Sequence, residues 1–171
     1  MTTSQHDGFV IRAARASDVR SIQALRQPAE GRVLLHHDLV ALFEKVQEFL
    51  VAEDADGSII GAGALHVMWE DLAEVRSVVV DGGQRGRGVG KAIVNRLLDR
   101  AREYGIKRVF CLTFEDQFFG SLGFKPISDV PVDEETFEEL ARSHDDGTAE
   151  FLDLARVKQN TLGNTRMLLL L

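Results

Sequence analysis

The sequence predicts an α+β domain built on one mixed sheet, and three observations predict it. Short β-branched runs follow one another like hairpins in the first half of the chain. In the second half, strand-like runs alternate with amphipathic stretches long enough to cross over. The glycine-rich loop "DGGQRGRGVG" (81–90) comes after the fourth strand rather than the first, which disfavours a doubly wound nucleotide-binding sheet. A chain of 171 residues suits one domain, expected over 9–171, behind a polar and unpatterned stretch, 1–8, expected to be disordered.

"FVIRAA" (9–14) reads as a strand, and Ser17 or Asp18 caps a helix over "VRSIQALR". Leu39, Leu42, Phe43 and Val46 fall at i, i+3, i+4 and i+7, one face of a second helix. "EFLVAE", the turn "DADG" and "SIIGAGALHVMW" make a hairpin, and "EDLA" turns into "EVRSVVVD", a strand rich in valine. After the glycine loop, Ile93, Val94, Leu97, Leu98 and Ala101 share a helix face. "KRVFCLTF" is a strand, "EDQFFGSLGF" a short helix closed by Gly123, "DEETFEELARSH" an acidic helix, and "NTRMLLLL" a last strand. That apolar last strand would offer an edge for a homodimer.

Composition narrows the function. The net charge is −7, which argues against nucleic acid as the main partner. Eight Lys and Arg crowd residues 85–108 against two acids, so an anion would be welcome near the glycine loop. The start carries no secretory signal and "MLLLL" is too short to span a bilayer, so a cytoplasmic protein with no membrane contact is expected. The single cysteine, Cys111, leaves no disulfide or thiolate cluster and reads as core, as do Trp69 and most phenylalanines. His36 and His37 are adjacent and rarely would face one ion, so no metal is expected.

The loop does not fit the familiar phosphate cradles. Walker A fails twice, with Arg85 where its first glycine belongs and Ala92 where its hydroxyl belongs. The dinucleotide fingerprint fails at Lys91. Five glycines within 82–90 exceed what a tight turn needs, and they let backbone amides at a helix start approach an anion. Arg85, Arg87 and Lys91 would add charge to a pyrophosphate held there.

Residues 85–90, Arg-Gly-Arg-Gly-Val-Gly, resemble the Gln/Arg-x-x-Gly-x-Gly/Ala loop of the GNAT N-acetyltransferases. The resemblance implies the GNAT fold, a mostly antiparallel central sheet with flanking helices, and acetyl-CoA as co-substrate. It places Arg85, Gly86, Arg87, Gly88, Val89, Gly90 and Lys91 on the pyrophosphate. "EVRSVVVD" resembles the family's splayed central strand, where backbone donors of Val78, Val79 and Val80 would hold the pantetheine and polarise the thioester. "FFGSLGFKPI" resembles its closing helix and strand, but Phe119 stands where many members have a tyrosine acid, and the only tyrosine is Tyr104.

From "LRQPAEG" through "IIGAGAL" to "VKQNTLGNTRMLLLL", about 9–171, the chain resembles the acetyltransferase domain of bacterial N-acetylglutamate synthases, in their short stand-alone form. That implies direct attack of a glutamate α-amine on acetyl-CoA, the first step of arginine biosynthesis, without the arginine-binding domain of the long form. Glu74 would be the general base, or else a solvated carboxylate. Arg76 points to the same strand face and would fork onto a substrate carboxylate, or else pair with Glu74. Arg166, charged amid an apolar ending, would meet the amino acid's carboxylate or a structural acid. Lys158 and Asn160 join it as further substrate candidates. Glutamine, another amino acid, a peptide N-terminus, or a non-catalytic acyl-CoA sensor remain the alternatives.

Overall fold

The computed structural model describes residues 4–6, 8–30, 32–154 and 163–171. One eight-stranded sheet runs through it in the order β1-β2-β3-β4-β5-β6-β8-β7. The strands are β1 (Ser4–His6), β2 (Phe9–Ala13), β3 (Phe49–Asp54), β4 (Ile59–Val67), β5 (Leu72–Val80), β6 (Arg108–Thr113), β7 (Lys125–Pro126) and β8 (Thr165–Leu170). β5 and β6 are parallel, joined through a helix, while the other neighbouring pairs are antiparallel. The mixed α+β sheet expected from the sequence is therefore present.

Helices cover both faces. α3 (Val89–Glu103) and α4 (Asp116–Ser121) pack with Ala73, Val75, Val109 and Met167 on one face. The residues expected on the inner face of α3 are all buried there. Two glycines of "IIGAGAL" let α3 approach β4: a Cβ on Gly63 would lie 2.7 Å from Ile93 Cγ2, and one on Gly61 2.9 Å from Val89 Cγ1. On the opposite face, α1 (Val19–Arg26) and α2 (Leu39–Glu44) enclose a cluster with Phe49, Val51, Ala62 and Ala64. Beside it, α5 (Glu134–Leu140) and α6 (Asp146–Phe151) enclose another with Leu72 and Phe110, where Phe110 stacks on Phe151 at 3.9 Å. The seam between these two clusters is where the polar residues collect.

Four details differ from expectation. Ser4–His6, expected to be disordered, pair antiparallel with Phe9–Ile11 as an edge strand. Asp18 occupies the N-cap position of α1, but its carboxylate accepts from Arg15 N and from the Arg12 guanidinium instead of the helix amides. α2 ends at Glu44, with a 3-10 turn over Val46–Glu48, and Phe43 stays exposed. α6 is a helix beyond those expected; Asp145 caps it by accepting from Thr148 N at 2.8 Å.

Candidate active site

The sheet opens at its centre. β5 and β6 pair at Leu72↔Arg108, Ala73↔Val109 and Glu74↔Phe110, then part, although β5 continues to Val80 and β6 to Thr113. β6 stays paired with β8 as far as Thr113↔Thr165, so β5 is the strand that leaves. Its departure is assisted by a bulge: Ala62 faces Val79 while Ala64 faces Arg76, so β5 carries one residue more than β4 between these pairs. The extra residue is in the Ser77–Val78 stretch, and Ser77 has φ +56°, left-handed backbone that a non-glycine adopts only under constraint. Val78, Val79 and Val80 are half-buried along the edge that faces the opening.

The glycine loop closes the end of that opening. Asp81 accepts from Gly83 N at 3.2 Å, and Gly86 and Gly88 take φ of +84° and +76°, which glycine permits at no steric cost. Gly88 caps α3, whose first internal bond is Ala92 N to Gly88 O at 3.0 Å. The amides of Val89, Gly90 and Lys91 precede it and have no carbonyl four residues back within the helix, the usual anion-binding arrangement. The Val89 side chain itself is buried in the core, so only its backbone faces the loop. Arg85 and Lys91 are exposed and make no ion pair among the described residues. Arg87 already has partners: it forks onto Asp54 at 3.1 and 3.3 Å, bonds Gln84, and lies 5.7 Å from the Phe9 ring. It ties the loop to the β3–β4 turn.

Phe119 is buried, edge-on to Phe118 and Phe124. Phe118 is the aromatic beside the loop, its ring 3.5 Å from where a Gly90 Cβ would stand and Val80 Cγ2 at 3.6 Å. Tyr104 is exposed at the far end of α3.

Strand alternation puts Glu74, Arg76 and, two strands away, Arg166 on the face covered by α1, α2, α5 and α6. Glu74 is 4% exposed, not the solvated carboxylate considered above. Burial pushes its pKa up to about 7; Arg76 and His66 draw it down, while Asp145 and Glu150 push the same way as burial. Arg76 Nε lies 3.1 Å from Glu74 Oε2, and its Nη1 donates to Asp145 Oδ2 at 2.9 Å. Asp145 also accepts from Lys45 Nζ at 2.7 Å. Burial opposes the charge of Asp145, yet Arg76, Lys45 and His66 hold its pKa far below the carboxylate range.

Further residues belong to this cluster that the sequence did not reveal. Arg26 is 1% exposed; it donates to Ser77 Oγ and to Leu35 O (2.8 Å), pinning the bulge, with Glu30 Oε1 3.5 Å from its Nε. Its signal was present, since Val19, Ile22 and Arg26 fall at i, i+3 and i+7 on the apolar face of α1. His37 is held down to about 4, first by burial and then by Arg26, Lys45 and Arg76, so it is neutral at neutral pH. His36 turns away to Glu30 (3.0 Å) and Asp38 (3.3 Å). Among the described residues no group of three His, Cys, Asp or Glu is arranged to hold a metal. Burial raises the Cys111 thiol above its usual range, so it stays protonated in the core.

Arg166 lies on β8 opposite Leu112 and is half-buried, with Glu150 close enough for its charge to be felt. Asn164 donates to that same Glu150 at 2.9 Å. Lys158 and Asn160 lie outside the described residues.

A strand that leaves its neighbour beside a glycine-capped helix is matched by sequence: the model of the acetyltransferase (GNAT) family fits residues 17–124. The chain belongs to this GNAT family. An amino-acid acetyltransferase of Mycobacterium tuberculosis is 54% identical over 164 residues, 95% of this chain and 94% of that one. A crystal structure of a Mycobacterium tuberculosis protein in complex with CoA superposes with TM-score 0.91 at 53% identity, over 94% of this chain and 98% of that one. N-acetylglutamate synthase from Neisseria gonorrhoeae, complexed with coenzyme A and N-acetyl-glutamate, shares the fold at TM-score 0.75 and 24% identity. That match covers 96% of this chain but 35% of the longer protein. As a member of that family the protein is an acetyltransferase, with acetyl-CoA as its co-substrate. No helix among its described residues is long and apolar enough to cross a membrane.

Proposed function

We propose that the enzyme transfers the acetyl group of acetyl-CoA to the α-amine of L-glutamate, the reaction of an N-acetylglutamate synthase and the first step of arginine biosynthesis. The observation that carries this reading is the position of Glu74. It is a buried carboxylate with a pKa near neutrality, at the point where β5 and β6 part, on the same face as Arg76 and Arg166. A base poised at the working pH is what an α-amine needs, because that amine is mostly protonated there.

The residues divide the work as follows. The loop amides of Gly86–Lys91, with Arg85 and Lys91, face the pyrophosphate, and Arg87 braces the loop from outside. The free edge of Val78–Val80 donates to the pantetheine and to the thioester oxygen, where charge develops during attack. Glu74 takes the amine proton through water. The nitrogen then forms its bond to the carbonyl carbon, the carbon–sulfur bond breaks, and the surplus proton on the nitrogen passes through water to the departing thiolate. Coenzyme A thiolate is a tolerable leaving group, which suits a site with phenylalanine at positions 118 and 119. Arg166 binds a substrate carboxylate, and Arg76 places its charge beside Glu74. Lys158 and Asn160 are assigned to the same pocket from the sequence alone.

One observation favours glutamine as a second acceptor. Arg26, Arg76 and Lys45 each already lie against a carboxylate, so among the described residues Arg166 is the main cation left for the substrate. One carboxylate is easier to satisfy there than two. Thiol release from acetyl-CoA with glutamate, glutamine, other amino acids and a peptide as acceptors tests the reading. Release with glutamate supports it; release with glutamine alone moves the substrate; release only with the peptide overturns it.

A further inference from the structure

We propose that Asp145, on the segment between β7 and β8, is a positioning residue for acetyl transfer: by taking the directed hydrogen bond of Arg76, it leaves Glu74 able to accept a proton. The proposal deepens the function above and rests on Glu74 being the base.

The geometry of Arg76 carries it. An arginine beside a buried carboxylate normally forks onto it with two aligned N–H bonds, and such a pair holds the carboxylate ionised and weakly basic. Here the aligned bond goes elsewhere, from Nη1 to Asp145 Oδ2 at 2.9 Å. Arg76 Nε is only 3.1 Å from Glu74 Oε2, yet neither atom has a hydrogen-bond partner among the described residues. Glu74 thus feels the charge of Arg76 without its hydrogen bonds. Asp145 decides which acid Arg76 serves.

Asp145 is itself fixed from three sides. Lys45 Nζ donates to Oδ2 at 2.7 Å, and Thr148 donates to Oδ1 from its amide at 2.8 Å and its hydroxyl at 3.2 Å. The first turn of α6 then covers the pair. A Cβ on Gly147 would stand 2.9 Å from Arg76 Nη1 and 3.2 Å from Glu74 Oε2, so the backbone there lies directly against both. The groups that face Glu74 are Arg76 on β5, His66 on β4, and Asp145 and Glu150 around α6. Among them, Asp145 alone hydrogen-bonds Arg76 in the described residues.

The test is the pH profile of kcat/KM for the full chain, read as thiol release from acetyl-CoA with its best amino-acid acceptor. Asp145→Asn keeps an oxygen to cap α6 but removes the charge, which releases Arg76 to Glu74. The acidic limb is then expected to move to lower pH by about one unit, through the hydrogen bonds of Arg76 and the lost repulsion of Asp145, with a lower plateau. Asp145→Ser, which also caps, should behave alike if the asparagine variant folds poorly. An acidic limb that stays at its wild-type pH in both variants, whatever the loss of rate, would overturn the proposal and leave Asp145 a helix cap. Glu74→Gln, measured in parallel, separates the two ideas. If its profile keeps the acidic limb, Glu74 is not the base and the reading beneath the proposal fails first.

Discussion

Glu74 and Phe110 are the last residues at which β5 and β6 lie side by side. One residue therefore ends the parallel ladder and carries the buried carboxylate. A ladder cannot simply stop inside a sheet, because unpaired backbone groups need other partners. The bulge at Ser77–Val78 turns β5 away, and the edge it frees is one that an extended ligand such as pantetheine can pair with.

The first prediction follows from that carboxylate. Glu74 is ionised above a pKa of about 7 and protonated below it, so a base at this position makes the rate rise with pH through neutrality. Glu74→Gln is expected to lower kcat/KM by about 10²–10⁴ and to flatten the acidic limb. Initial rates of thiol release across pH check both. An unchanged rate would return Glu74 to a structural role.

The glycine loop gives the second. Arg87 is committed to Asp54, whereas Arg85 and Lys91 are exposed without an ion pair among the described residues. Arg85→Ala and Lys91→Ala should each raise KM for acetyl-CoA about tenfold or more, by losing a charge-assisted contact of about 1.5 kcal/mol or more. Arg87→Ala should affect that KM less and soften the loop instead, seen as faster amide exchange at 82–88. Equal KM effects for all three would mean that Arg87 leaves Asp54 when the nucleotide binds.

Most of the sheet was legible because its signals are local. Valine-rich alternation marks β5, and five glycines ahead of an i, i+3, i+4 face mark the start of α3. Glu74 and Arg76 could be placed on one face because side chains alternate along a strand. Asp145 could not be joined to them, since its contacts to Arg76 and Lys45 span 69 and 100 residues. Within an acid-rich stretch, nothing local distinguishes Asp145 from its solvated neighbours. The pairing of Arg87 with Asp54 is hidden for a related reason: proximity to the glycines suggests an anion, and Asp54 is 33 residues away.

Arg166 gives the third prediction. It shares a face with Glu74, and the nearby Glu150 is half-buried with Asn164 already bonded to it. If Arg166 receives the acceptor's carboxylate, Arg166→Ala should raise KM for the amino acid at least tenfold and leave KM for acetyl-CoA within about twofold, as expected for a lost hydrogen bond to a charged group of about 1.5–3 kcal/mol. Separate titrations of the two substrates read this. A rise confined to acetyl-CoA would place Arg166 on the wrong side of the cleft.

The last prediction concerns the bulge. Arg26 is buried, and its guanidinium holds Ser77 Oγ and Leu35 O together, joining α1, the bulge in β5 and the segment after α1. Arg26→Met fills much of the same volume but leaves the Leu35 carbonyl and the Glu30 carboxylate without that cation. Removing one partner from a buried charged pair costs about 3–5 kcal/mol, which chemical denaturation would register as a lower midpoint with a similar slope. The activity should fall by more than the folded fraction does, because the released Ser77 no longer has a partner to hold its φ of +56° and keep β5 turned from β6. If kcat per folded molecule is unchanged, the bulge holds itself and Arg26 contributes stability alone.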